Sequence, residues 1–155
     1  MSRTVRIVFC ALVLIGTIGA GTKIIGSADG DTPGFHVDVT QLRRISGNMV
    51  SLKFVFVNGS NAEIGMGGVM DGDNAMRDND TIAGVDLNDG TTKYVVVRDA
   101  QGKCVCSSKM GYLNSKARLN LWAKFPAPPA SVTKLSVEIP HFPPIDDVPL
   151  TPISK

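Results

Sequence analysis

The sequence predicts an all-β fold, and three observations predict it. Short runs alternate apolar and polar residues with the period of two that a half-buried strand requires. Clusters of Asn, Asp, Gly and Pro punctuate those runs about every 8–12 residues. No stretch carries the recurring apolar stripe of an amphipathic helix.

The chain opens differently from the rest. Residues 1–6 carry Arg3 and Arg6 and no acid, and Ile7 to Gly21 is an unbroken apolar or small run of 15 residues. Small residues follow at Gly26, Ser27 and Ala28. A basic start, a short apolar stretch and a small-residue site describe a secretory signal peptide. The rival is an uncleaved membrane anchor. Fifteen residues fall short of the roughly 20 a spanning helix needs, although Ile24 and Ile25 extend the run past Lys23. Cleavage is expected after Ala28 or near Gly21. The division with Ala28 is 1–28 signal peptide or membrane-anchor helix, 29–34 linker, 35–150 folded domain and 151–155 tail. By composition the polar stretch extends over 26–34.

The strands follow in order. Phe35 to Ile45 is the first, with Phe35, Val37 and Val39 alternating against His36 and Asp38. Val50 to Val57 is the clearest, with Val50, Leu52, Phe54 and Phe56 on one face. Asn58-Gly59 then signals a turn. Residues 59–80 have no clean period and read as a long loop, with a short edge strand near Ile64. Thr81 to Leu87 reads as a strand, closed by an Asn88-Asp89-Gly90 turn. Lys93 to Arg98 is another, and Asp99-Ala-Gln-Gly102 turns it back into a short arm over Lys103 to Ser107. Residues 108–116 are loop. Leu119, Leu121, Ala123 and Phe125 point one way, and Asn120, Trp122 and Lys124 the other. That strand stops at Pro126, because Pro128 and Pro129 forbid a ladder beyond it. Val132 to Ile139 is its partner after a proline-stiffened corner. His141 to Pro152 carries four prolines and reads as tail. About seven short strands so disposed form an antiparallel β-sandwich, immunoglobulin-like in the broad sense. The Cys…Trp…Cys spacing of antibody domains is absent.

Three segments carry a resemblance. They are Tyr94-Val-Val-Val-Arg-Asp-Ala-Gln-Gly-Lys-Cys-Val-Cys-Ser107, Leu121-Trp-Ala-Lys-Phe-Pro-Ala-Pro-Pro129 and Asp147-Val-Pro-Leu150. Together they resemble a family of small exported bacterial immunoglobulin-like modules of unknown function. Some of those modules sit ahead of a peptidoglycan-binding domain similar to the outer-membrane protein A C-terminus. The resemblance spans roughly residues 80–150. It implies an extracytoplasmic envelope protein and carries no activity with it.

Charge narrows the partners. The chain has 16 basic and 14 acidic residues, a formal charge of +2. Cleavage after Ala28 removes Arg3, Arg6 and Lys23, leaving 13 basic against 14 acidic, so the charge becomes −1. The basic excess belongs to the export signal, and nothing suggests nucleic-acid binding.

Cysteine is the strongest chemical signal. Of three cysteines, Cys10 lies inside the apolar run, too early for lipoprotein acylation. Cys104 and Cys106 remain, in an oxidising setting if the chain is exported. On a flat strand their Cα atoms would lie about 6.5–7 Å apart, at the upper limit for a disulfide. Closing the bond needs a bend, for which Gly102 is at hand. The alternatives are free or metal-binding thiols and a redox-active pair. Met66, Met70 and Met76, with His36 and His141, raise copper(I) as a ligand, with Cys104, Cys106, Met66 and Met70 as candidate donors. No compact ligand spacing supports it, and methionine commonly fills cores. No cofactor is expected. Asp71 to Asp80 is acidic but lacks the calcium-loop pattern, with Ala75 and Met76 at key positions. No hydrolase, zinc or phosphate-loop motif is present. Asn58-Gly-Ser60 and Asn79-Asp-Thr81 match the glycosylation pattern.

Trp122 and Phe125 are the candidate binding residues. Trp122 lies opposite Phe125 on its strand; an open face would make it an interface residue, and a covered one would make it core. The pattern favours a covered one. The expected role is therefore non-catalytic, binding a protein or a cell-envelope surface, with membrane contact if the N-terminal segment stays attached. The alternative is an extracytoplasmic redox or copper-handling protein that uses Cys104 and Cys106.

Overall fold

In the computed structural model, residues 22–66 and 81–153 are described, and among them there is no helix. The expected N-terminal helix, Met70, Met76 and the acidic stretch 71–80 lie outside the described residues.

The strands are β1 (Gly26–Asp29), β2 (Phe35–Ile45), β3 (Met49–Asn58), β4 (Ile64–Gly65), β5 (Asp86–Asn88), β6 (Lys93–Val95), β7 (Tyr112–Leu113), β8 (Arg118–Pro126), β9 (Lys134–Glu138) and β10 (Ile145–Pro149). They form two four-stranded antiparallel sheets, ordered β1-β2-β3-β8 and β10-β9-β5-β6, with β4 and β7 paired separately. The inner faces supply one core, in which Val37, Leu52, Phe54, Phe56 and Phe125 meet Leu87, Leu135, Val137 and Val148.

The alternation explains the long strands. Each core residue of β3 faces one of β2 and one of β8: Phe54 pairs with Val39 and Leu121, and Leu52 with Leu42 and Ala123. A bulge at Thr40 breaks the register of β2 between Val39 and Gln41. Ahead of it β2 pairs with β1. Beyond it Arg43 forms a parallel bridge with Thr151, and the amide of Thr151 donates to the carbonyl of Leu42 at 3.0 Å. The outer edge of β2 is thus shared, and the chain following β10 ties the second sheet to the first.

Two stretches depart from their sequence reading. Residues 26–34 read as linker, yet Gly26–Asp29 pairs with Val39 to His36 in β2. A Cβ on Gly26 would lie 2.7 Å from Ile145 Cγ2, so only glycine lets β1 approach β10 this closely. Gly30 is set against the rings of Phe142 and Phe35 in the same way. The boundary at Ala28 therefore cuts through a packed strand. His141 to Pro152 read as tail, yet Ile145 pairs with Val137 and Val148 with Leu135 across a bulge. Ile145 and Val148 are buried there.

Two polar side chains fasten the turns. Asn58 is fully buried; its Nδ2 donates to the carbonyls of Ala62, Leu113 and Asn114 at 2.8–3.1 Å. Its Oδ1 accepts from the amide and hydroxyl of Ser60 at 3.0 and 2.7 Å. The glycosylation pattern at Asn58 is thus spent on structure. Arg44 serves the proline corner: its guanidinium donates to the carbonyls of Pro128 (2.8 Å), Pro129 (2.7 Å) and Val132 (3.0 Å). A corner built on prolines has no ladder for these oxygens, and the planar fork of Arg44 replaces it.

Arg44→Ala is expected to lower stability by about 1–2 kcal/mol in chemical denaturation, since charge-assisted hydrogen bonds of this partly exposed kind are worth that much. Arg44→Lys should restore only a fraction of it, because an ammonium cannot span three carbonyls. An unchanged midpoint in Arg44→Ala would contradict this role.

Candidate functional site

The site is built on β8, whose inner residues Leu121, Ala123 and Phe125 are buried. Alternation then obliges Asn120, Trp122 and Lys124 to face outward. Trp122 is 41% exposed and Phe125 is 0% exposed. The covered face expected for Trp122 is therefore open at Trp122 itself, whereas Val55 and Asp38 on the same face are buried. Phe125 is withdrawn as a binding residue, because it points into the core.

One edge of β8 pairs with β3, which sets Lys53 directly across from Trp122 and Val55 across from Asn120. The other edge takes the cysteine arm. The amide of Ser107 donates to the carbonyl of Trp122 at 2.8 Å, and the amide of Trp122 donates to Ser107 Oγ at 3.0 Å. The amide of Lys124 donates to the carbonyl of Val105 at 3.0 Å, framing an antiparallel bridge between Cys106 and Ala123. The amide of Val97 reaches the carbonyl of Lys124 at 2.8 Å, so the segment after β6 joins the second sheet to the first. Trp122 thus stands on a strand held from both sides.

The arm is shaped by its turn. Asp99 Oδ1 accepts from the amides of Gln101 and Lys103, both at 2.9 Å. Gly102 takes φ = 78°, the left-handed region where a side chain would be strained. Beyond the turn the chain bends, and the sulfurs of Cys104 and Cys106 come into close contact, with Cα atoms 5.3 Å apart. A flat strand would have kept them further apart. Cys106 is buried in the hydrophobic core and Cys104 is partly buried against it. This sulfur pair pins the arm to the core and offers little thiol surface. Met66 is likewise fully buried, its thioether part of the core rather than of an open ligand set. Among the described residues, no three His, Cys, Asp or Glu side chains gather to hold a metal ion.

A hollow of about 270 Å³ lies beside Trp122, lined by Cys106, Ser107, Lys109, Met110, Asn120 and Leu121 among others. Lys109 sits there with φ = 63°, an uncommon backbone state for a lysine. Sequence reasoning missed this hollow, since Ser107 to Met110 carry no periodic signal. Tyr112, at the neighbouring β7, is 74% exposed.

The outer face of the second sheet is different. Lys93 Nζ lies 3.2 Å from Asp86 and 3.0 Å from Glu138. The hydrogen bond to Glu138 and then that to Asp86 raise the Lys93 pKa. The Glu138 carboxyl is held below its ordinary range first by the Asn88 amide, 2.9 Å away, and then by Lys93. Asp89 is lowered by the Tyr94 hydroxyl, which donates to it at 2.7 Å, and Tyr94 is raised in turn. These groups form cross-strand and turn-fastening contacts.

Comparison with known proteins adds no relative: no family model matches the chain, and no curated protein or solved structure matches it.

The Glu138 contacts give a directional expectation. A lowered carboxyl pKa contributes stability that is present above the unfolded value near 4.5 and is lost as pH falls through the folded value. In Lys93→Met, NMR titration should find the Glu138 pKa raised yet still below its unfolded value, because the larger Asn88 contribution remains. A Glu138 titration identical in the two proteins would show that Lys93 does not act on it.

Proposed function

We propose that this chain is a non-catalytic, exported immunoglobulin-like module of the bacterial cell envelope that binds a protein or an envelope surface. The observation that carries it is the exposed Trp122, standing on the outer face of a sheet fixed at both edges. A large aromatic left open on a rigid strand costs solvation and serves as an anchor for a partner. The basic, apolar N-terminal segment supports export, and the three resemblance segments support the envelope setting. The buried Cys106 supports a stapling role for a disulfide formed on export, rather than redox exchange, which needs an accessible sulfur.

Strand β1 bears on processing. Cleavage after Ala28 would remove residues that pair with β2 and cover Ile145 and Val148. Cleavage near Gly21 leaves β1 whole, and this is the site we infer.

The test is expression in a bacterial host with its own leader, followed by fractionation and N-terminal sequencing of the exported protein. The processed N-terminus is expected near residue 22, and envelope retention should fall several-fold in Trp122→Ala with the fold intact. Val95→Ser, at the exposed edge of the other sheet, should not change retention. A cytoplasmic, unprocessed chain would overturn the export reading. Equal retention of wild type and Trp122→Ala would overturn the Trp122 face.

A further inference from the structure

The two outer faces of the molecule carry opposite charge. On the β2-β3-β8 face, Arg43, Lys53, Arg118 and Lys124 stand around Asn120 and Trp122. Two carboxylates share that sheet's outer side: Asp29, exposed on β1 across from His36, and Asp38, which is buried and held by Arg118 Nη2 at 3.3 Å and Ser27 Oγ at 3.0 Å, so the four cations outnumber the acids by two. On the other sheet, Asp86, Glu138, Asp146 and Asp147 outweigh Lys93 and Lys134. The mature chain is near neutral overall, so this separation is not a by-product of net charge.

The buried side-chain donors without a partner among the described residues are Gln41 Nε2 and Arg43 Nε, both on β2. The register places Gln41 across from Lys53, and Arg43 across from Ser51. Native structures seldom leave such donors unpaired. The Lys53 stem lies alongside Trp122 as its cross-strand neighbour, leaving the ammonium free to reach outward.

We propose that this face docks an anionic sugar polymer, with Trp122 as the platform and Arg43, Lys53, Arg118 and Lys124 as its cationic surround. A flat indole packs against the C–H face of a pyranose ring, and its rim tolerates water. The cations match carboxylate or phosphate groups spaced along such a polymer, and Asn120 can both donate to and accept from hydroxyl groups. A neutral glycan would leave the cations idle, and an anionic peptide without rings, such as polyglutamate, would leave the indole without a ring to stack on. This assignment rests on the Trp122 face being the docking surface and names the chemistry of its partner.

Trp122 is the sole tryptophan of the chain, so its fluorescence reports this face alone. The processed protein is titrated with polygalacturonate, with neutral dextran and with polyglutamate. A saturable change in emission with polygalacturonate, absent with dextran and much weaker with polyglutamate, is expected. It should weaken steeply as salt rises to about 0.5 M, where screening acts over roughly 4 Å. Lys53→Glu should weaken binding about tenfold or more, whereas Asp147→Ala on the opposite face should not. Trp122→Ala, followed by affinity electrophoresis, should lose retardation while keeping its thermal transition.

No response to polygalacturonate overturns the assignment. So does an equal response to polyglutamate, which would mean charge alone, or to dextran, which would mean no charge selection. An emission change that follows protein concentration without polymer, and that Asp147→Ala removes, would make the occupant a second copy and also overturns it. If polygalacturonate fails while Trp122→Ala still loses envelope retention, the docking face stands and its anionic-glycan chemistry falls. If retention is also unaffected, both fall.

Discussion

A sheet edge is a row of backbone donors and acceptors that must be satisfied, and in this protein the rest of the architecture depends on how the outer edge of β8 is closed. The segment Val97 to Ser107 closes it. Val97 and Ser107 donate to carbonyls of β8, and Lys124 returns a donor to Val105. Val105 also donates to Val97 at 2.7 Å, so three segments share one junction. This fixes the join between the two sheets, buries Cys106 behind Ala123, and holds the strand that presents Trp122. The turn at Asp99 and Gly102 and the bend at Cys104 and Cys106 are what let so short an arm reach that edge.

The opposite side of the molecule meets the same constraint with different chemistry. There β2 is too long for one neighbour, and its bulge at Thr40 hands the edge from β1 to Thr151. The proline corner after β8 carries no ladder, its backbone bonds running from Ala127 to Asn48 and from Val132 to Pro129, and Arg44 supplies further donors to its carbonyls. The two sheets are therefore tied on both sides by backbone pairs rather than by packing alone. Such a frame suits a binding face, since its backbone needs no ordering when a partner arrives.

Much of the frame was legible in the sequence where burial is one-sided. Phe35–Val39 and Val50–Phe54 alternate because each has one face in the core, and the structure places strands over both. Strand β1 was illegible because Gly-Ser-Ala-Asp has no apolar face; its place is set by the room Gly26 leaves beside Ile145. Strand β10 was hidden by prolines and by the bulge that turns Asp146 and Asp147 outward together. Thr81 to Leu87 reads as one strand, yet Val85 donates back to the carbonyl of Ile82, making a turn that buries both side chains before β5 begins. At the site, spacing alone put Trp122 opposite Phe125. It could not say whether a further layer covers that face, because periodicity records sides and not what lies beyond them. The charge contrast between the faces was invisible for a like reason: its residues are scattered through the chain and meet only through register.

The cysteine arm is a permanent part of the first sheet, held there by the backbone bonds of Val97, Val105 and Ser107. Native-state amide hydrogen exchange measures it directly. The amides of Val97, Val105 and Lys124 are expected to exchange as slowly as those of Phe54 and Leu52 in central β3, and all are expected to be released together in the global opening. Exchange of Val97 and Val105 at the rate of an exposed loop, with β3 still protected, would contradict it.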